Sequence, residues 1–262
     1  LQTWLSACNE AMVFEVQNNE WQFTHDKLRE VLLQDLTDVT KKRTHEQVAI
    51  ALENVYDDLD DLAVILLNHW RAAGDQNKEI HYSLKASKQL LWSGNYDEAV
   101  VISQRLLADY AQTFSAEDKL DLLRLQGNAF RDLDRYPESL ASHQMGLDLA
   151  RQVNDQKAIA QHLIGLGWST WRQVQYKYDQ SDKVSLTQAE TYLLEALSIA
   201  KALDAHSEVA HALHNLGTIF DLRDGDREKR IRYIKQALGL FQSIDETDGI
   251  VMTSTDLGQA LC

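Results

Sequence analysis

A small residue recurs in this chain at a fixed phase: Ser87, Gly127, Gly167, Gly217 and Gly258, separated by 40, 40, 50 and 41 residues. A second landmark, Leu107, Leu147, Leu197 and Leu238, keeps the same phase with separations of 40, 50 and 41. Two independent landmarks that drift together mark an internal repeat, and a repeat constrains a fold more than any single motif. Between the landmarks stand turn and helix-start segments: GNYDEA at 94–99, DRYPES at 134–139 and DGDREK at 224–229. Each unit reads as a helix with a small residue where a neighbour approaches closely, a tight turn, and a second amphipathic helix. Composition agrees, since 1 proline and 11 glycines in 262 residues leave little to interrupt helices. The expected fold class is all-α.

The third unit exceeds its neighbours by about ten residues, and the excess falls in VQYKYDQSDKVSLT, 174–187. A surface insertion or a partner-contacting loop would account for it, with a capping box from Ser185 to Gln188 restarting the helix. The residues ahead of the repeats differ in kind. MVFEV (12–16) and EWQFT (20–24) alternate apolar and polar residues around Asn18-Asn19, the pattern of a β-hairpin. Asp26 and KLREVLLQDL then read as a helix, and a second capping box, Thr44 to Gln47, is expected to open the next one.

Charge and composition exclude several functions. The formal charge of -14 argues against a broad contact with a nucleic-acid backbone or an anionic membrane surface. No run reaches the roughly 18 to 20 apolar residues of a membrane span, and the start lacks the basic region of a signal peptide. Cys8 and Cys262 stand far apart and form no disulfide or zinc framework, so a cytoplasmic location is expected. His211 and His214 share a helix face, but no third ligand of tetrahedral spacing accompanies them, and no metal is expected. DDLDD at 57–61 and DLRDGD at 221–226 lack the order of a calcium loop. No nucleophile elbow and no phosphate-cradling G-x-x-x-x-G-K-[ST] loop occurs, so no catalytic residue and no enzymatic activity are expected.

The repeat residues resemble the tetratricopeptide repeat. They include the Leu-Gly pairs 166–167, 216–217 and 257–258, Phe130 and Phe220 three positions after the glycine, Tyr96 and Tyr136 in turns, and Ala99, Ser139 and Ala189 opening second helices. The resemblance implies a right-handed α-solenoid of helical hairpins over 78–262, lined inside by the first helices. The period of about 40 exceeds the 34 of the standard repeat and the closing proline is absent, so either turns or helices must be longer. The segment before it, from the hairpin through THDKLRE and HEQVAIALE to NHWRAAGD, is similar to the junction between the winged-helix domain and the repeats of STAND-class signal-transduction ATPases. That likeness implies a winged-helix remnant at 1–44 and a connecting helical hairpin at 45–77. It also implies an ATPase domain upstream, with its ATP or ADP and Mg, and no cofactor in this piece; oligomerisation would belong to the whole protein. The opening without Met and the close at DLGQALC fit an excised piece. By the same resemblance, His25 corresponds to the residue that reads bound ADP, whereas the residues by themselves allow His25-Asp26 to be a simple helix cap.

The phase of the glycines places Arg124, Asn128 and Arg131, then Gln161, Ile164, Trp168 and Trp171, then His211, His214 and Asp221 on the inner face. Arginine beside exposed tryptophan is the composition of a protein-binding hot spot, although Trp168 and Trp171 could equally be core. The expected partner is a protein or peptide with an acidic or apolar anchor, in a groove less negative than the rest of the surface. Gly165 and His211 stand where a carboxylate clamp for chaperone tails would need Asn and Lys, so that ligand is not expected. The alternative is a nucleotide-responsive module in which His25 contacts ADP on the missing domain.

Overall fold

The computed structural model describes residues 7–11, 13–17, 20–24, 34–109, 112–176 and 183–261. They form two compact units, Leu1–Tyr82 and Ser83–Cys262, so the segments expected at 1–44 and 45–77 fall in one unit.

In the first unit, β1 (Phe14–Gln17) pairs antiparallel with β2 (Glu20–Phe23) in the register Phe14 to Phe23 and Gln17 to Glu20. Among the described residues no helix makes an extended contact with this hairpin, so a winged-helix domain around it is not supported. Helix α1 (Asp38–Val55) packs on α2 (Ala63–Ala73). The expected start of α1 at Thr44 is corrected. The N-cap is Thr37, whose hydroxyl oxygen accepts from the Thr40 amide, while Thr44 lies inside the helix and donates to the Thr40 carbonyl. Helix α3 (Gln76–Trp92) follows. Its first half joins a buried cluster on Glu53, which accepts from Trp70 Nε1 at 3.1 Å, Lys78 Nζ at 2.9 Å and Tyr82 Oη at 2.7 Å. Burial pushes the Glu53 carboxyl up, but these donors outweigh it and leave the pKa below the ordinary value.

The second unit continues with α4 (Tyr96–Asp109), α5 (Ala116–Asp132), α6 (Tyr136–Val153), α7 (Gln156–Tyr176), α8 (Lys183–Ala202), α9 (His206–Asp224), α10 (Arg227–Ser243) and α11 (Thr247–Leu261). Adjacent helices pack in pairs throughout α4–α11, and α5, α7, α9 and α11 also meet one another in succession, an arrangement consistent with an α-solenoid. Gly167 and Gly217 of the repeat series sit at close helix contacts, while Gly258, the last of the series, has open space around it. A Cβ on Gly167 would lie 2.6 Å from Leu193 Cγ of α8, and one on Gly217 would lie 3.2 Å from the Arg230 carbonyl oxygen of α10. Ala99, Phe130, Tyr136, Ser139, Ala189 and Phe220 are all buried.

The missing proline is explained by the turns. Asp134, Asn154, Asp204 and Asp245 adopt left-handed backbone with φ of 57°, 59°, 54° and 53°, and Gly94 and Gly225 do the same with 77° and 67°. The amide after the left-handed residue reaches back to the helix: Arg135 to the Phe130 carbonyl at 2.8 Å, Asp155 to Ala150 at 2.9 Å, Ala205 to Ala200 at 2.9 Å and Glu246 to Phe241 at 3.0 Å. These six-to-one bonds end α5, α6, α8 and α10 without a proline. These four turns are therefore short, and there the long period lies in the helices. The third unit shows it best, with 21 residues in α7 and 20 in α8. Residues 174–176 and 183–187 of the expected insertion are helical, and α8 already begins at Lys183, ahead of the Ser185 to Gln188 box.

Candidate functional site

Successive first helices leave an open cleft of about 730 Å³ in the second unit. Helix α5 contributes Arg124, Asn128 and Arg131; α7 contributes Gln161, Ile164, Gly165 and Trp168. The opposite wall is Ser207, Glu208 and His211 of α9, with Asp245 to Gly249 and Met252 from the α10–α11 turn and α11, and Trp92 of α3 also lines it.

The arginines are already engaged. Arg131 donates from Nε and Nη2 to the two oxygens of Asp132 at 2.9 and 3.2 Å and from Nη1 to Asn128 Oδ1 at 3.1 Å, and its guanidinium lies 3.8 Å from the centre of the Trp168 ring. Stacking, a bidentate carboxylate and 8% exposure make it a fixed wall rather than a free anion receptor. Arg124 Nη2 donates to Asp121 at 2.9 Å. On the other wall, Glu208 accepts from Gln161 Nε2 at 2.8 Å, and His211 Nε2 lies 3.0 Å from Glu246 Oε1. The His211 contact holds the Glu246 carboxyl below its ordinary range, against the opposing effect of burial.

Seven of the ten residues placed on the inner face by sequence line this cleft: Arg124, Asn128, Arg131, Gln161, Ile164, Trp168 and His211. Trp171, His214 and Asp221 do not. Trp171 is 6% exposed and donates from Nε1 to Asn215 Oδ1 at 2.8 Å, so it is a core residue satisfied across two helices. His214 is buried and pairs through Nε2 with Asp256 Oδ2 at 2.6 Å. Both, with Asp221, border a second cavity of about 410 Å³, where Asp221 is bound by Arg230 at 2.6 Å. The expected charge of the groove is also corrected: the lining carries two arginines against the four carboxylates Glu208, Asp245, Glu246 and Asp248. His25 lies outside the described residues, as do Asp26 and residues 27–33 of the helix expected after it.

Behind the cleft lies a feature that sequence reading missed. The fully buried His143 of α6 fills a slot between two glycines, and a Cβ would come within 2.5 Å of its ring at Gly127 and 2.3 Å at Gly165. His162 of α7 occupies the matching slot over Gly146, where a Cβ would lie 2.0 Å from its ring. The two imidazoles meet at 3.4 Å through Nδ1. Burial, then the nearby Arg124, pushes the His162 pKa down to about 4, and burial, the second imidazole and the arginines push His143 well below the ordinary histidine value. Both are neutral core residues at pH 7. Gly146 and Gly165, glycines outside the repeat phase, were the available signal.

Among the described residues no group of three His, Cys, Asp or Glu side chains is placed to hold a metal ion, and no helix is long and apolar enough to cross a membrane.

No known family model and no curated protein matches the chain. Solved structures do. BtubC (BKLC) from P. vanneervenii is similar over 86% of this chain and 87% of that one, at 14% identity and a TM-score of 0.48. A Signal Transduction ATPase with Numerous Domains (STAND) protein with a tetratricopeptide repeat sensor, from Pyrococcus horikoshii, matches 98% of this chain at 15% identity with a TM-score of 0.53. This chain spans 42% of that protein's length. At such identity the likeness is one of fold, a helical repeat region.

Proposed function

We propose that this chain is a non-catalytic interaction and sensor region of a multidomain signalling ATPase, binding a protein or peptide segment in the cleft of a right-handed tetratricopeptide-like solenoid. The observation that carries the reading is the cleft itself, an open surface built jointly by three successive first helices and the start of a fourth. Such a surface suits an extended or helical segment, because no single helix could form it, and among the described residues it keeps polar atoms without partners inside the protein, Arg124 Nε and His211 Nδ1. The STAND neighbour, described as having a tetratricopeptide repeat sensor, supports the signalling context. In this reading the nucleotide and Mg belong to an upstream domain, and the protein works in the cytoplasm.

The test is selection of a random 12-residue displayed peptide library on the whole chain, with the indole N–H resonances of Trp92 and Trp168 reporting where selected peptides sit. Peptides that shift both resonances support the reading. If every selected peptide leaves them unmoved, the cleft is not the binding surface. Micromolar ADP binding by this chain in calorimetry would replace the reading with a nucleotide-responsive one.

A further inference from the structure

We infer that the occupant of the cleft is a basic segment, presenting Lys or Arg to the carboxylates of Glu208, Asp245, Glu246 and Asp248. The inference rests on the cleft being the binding surface. Both arginines of the lining are neutralised, Arg131 by Asp132 and Arg124 by Asp121. No lysine lines the cleft. The carboxylates of the far wall are not compensated in the same way: among the described residues neither Lys nor Arg pairs with any of the four.

Glu208 is the most telling. It is 8% exposed, faces the cleft, and has the neutral Gln161 amide on Oε1 as its hydrogen bond. The amide that holds this carboxylate is neutral and leaves its charge unpaired, and a ligand cation would pair with it. Asp245 and Asp248 stand exposed at the rim, where a cation would be attracted before it is desolvated. The aromatic part of the lining points the same way. Trp92 is 76% exposed, unlike Trp168, whose ring already carries the Arg131 guanidinium. An exposed indole lining the same cleft as the carboxylates attracts an ammonium or guanidinium through its π face. An acidic peptide would meet four like charges and find no unpaired cation.

The same library selection decides the matter, using the isosteric variant Glu208→Gln, Asp245→Asn, Asp248→Asn. It keeps the acceptor for Gln161, and Asn is tolerated at the left-handed position 245. Peptides that shift the Trp92 and Trp168 resonances are expected to be rich in Lys or Arg. They should bind the variant at least tenfold more weakly and lose affinity as salt rises, with the variant's melting curve close to the parent's. Cleft-binding peptides that lack basic residues, or whose affinity the variant leaves unchanged, overturn the inference while the cleft remains the binding surface. A selection that yields no cleft-binding peptide overturns both. If the variant itself melts early, Asp248→Asn alone, at an exposed position, serves with an expected severalfold loss, and an unchanged affinity there again overturns the inference.

Discussion

Helices α1 and α7 are of similar length and meet opposite fates. Of the 18 residues of α1 only Ala49 is buried, and Val39 and Val55 are 78% and 73% exposed. Helix α7 buries 13 of its 21 residues, among them Leu163, Leu166 and Trp171. Propensity does not explain the difference, since α7 carries two glycines, Gly165 and Gly167, that weaken a helix and α1 carries none. Neighbours do. Helix α7 is packed by α5, α6, α8 and α9, whereas α1 packs on α2 and is joined to the start of α3 through Glu53. In a repeat architecture the order of an element comes from the interfaces on either side of it, and a central first helix has the most.

The sharpest way to break this comparison is Trp171→Ala. It empties a buried volume and leaves Asn215 Oδ1 without its donor, so a loss of about 4 kcal/mol is expected in the urea unfolding of the chain. A loss below about 1 kcal/mol would show that α7 is not the packing centre.

Acid should act on the same helix. The unfolded chain protonates His162 near pH 6.5, while the folded chain resists until about pH 4, so stability is full above 6.5 and declines as pH falls between those values. From pH 7 to 5 this one residue accounts for about 2 kcal/mol, and His143 adds a loss of the same sign. The groups around the pair reinforce burial in part, because Arg124 opposes protonation while Asp121 and Asp155 favour it. Urea midpoints at the two pH values measure the loss, and His162→Gln should flatten it. A parent protein equally stable at both values would mean that the imidazoles are not buried as described. The smallest effect is expected in α1, where Val55→Ser should change stability by no more than about 0.5 kcal/mol in the same unfolding experiment.

Much of the second unit could be read from spacing because one glycine per repeat fixes the phase of each first helix. From that phase the inward positions of α5, α7 and α9 follow, which is why Arg124, Asn128, Gln161 and Trp168 fell in one cleft. The phase fails one turn further on. Trp171 and His214 follow Trp168 and His211 by three residues, but the next first helix covers that edge, with Asn215 and Asp256 waiting as partners. Glu208 lies on α9, and Asp245 and Asp248 belong to a turn and a helix start, so the acid of the far wall carries no periodic signal. The slots at Gly127, Gly146 and Gly165 depend on a ring from another helix filling the space of a missing side chain, a complementarity that no single segment displays. In the first unit the hairpin showed in its alternation. The start of α1 was misplaced because Thr37 and Thr44 are both plausible caps by residue type, and only the backbone decides between them.

The succession of neighbour contacts has a kinetic meaning. Each helix from α4 to α11 meets the next in the chain or the next first helix, and even the bridge from Gln161 to Glu208 spans only 47 residues. Ordering such a chain closes short loops in turn and never waits for distant segments to find one another, so folding should be fast for a protein of this size and can start at any hairpin. The same locality lets outer hairpins open without dissolving the rest. Amide protons should exchange last in α7, the helix with partners on every side, and progressively sooner in helices with fewer neighbours.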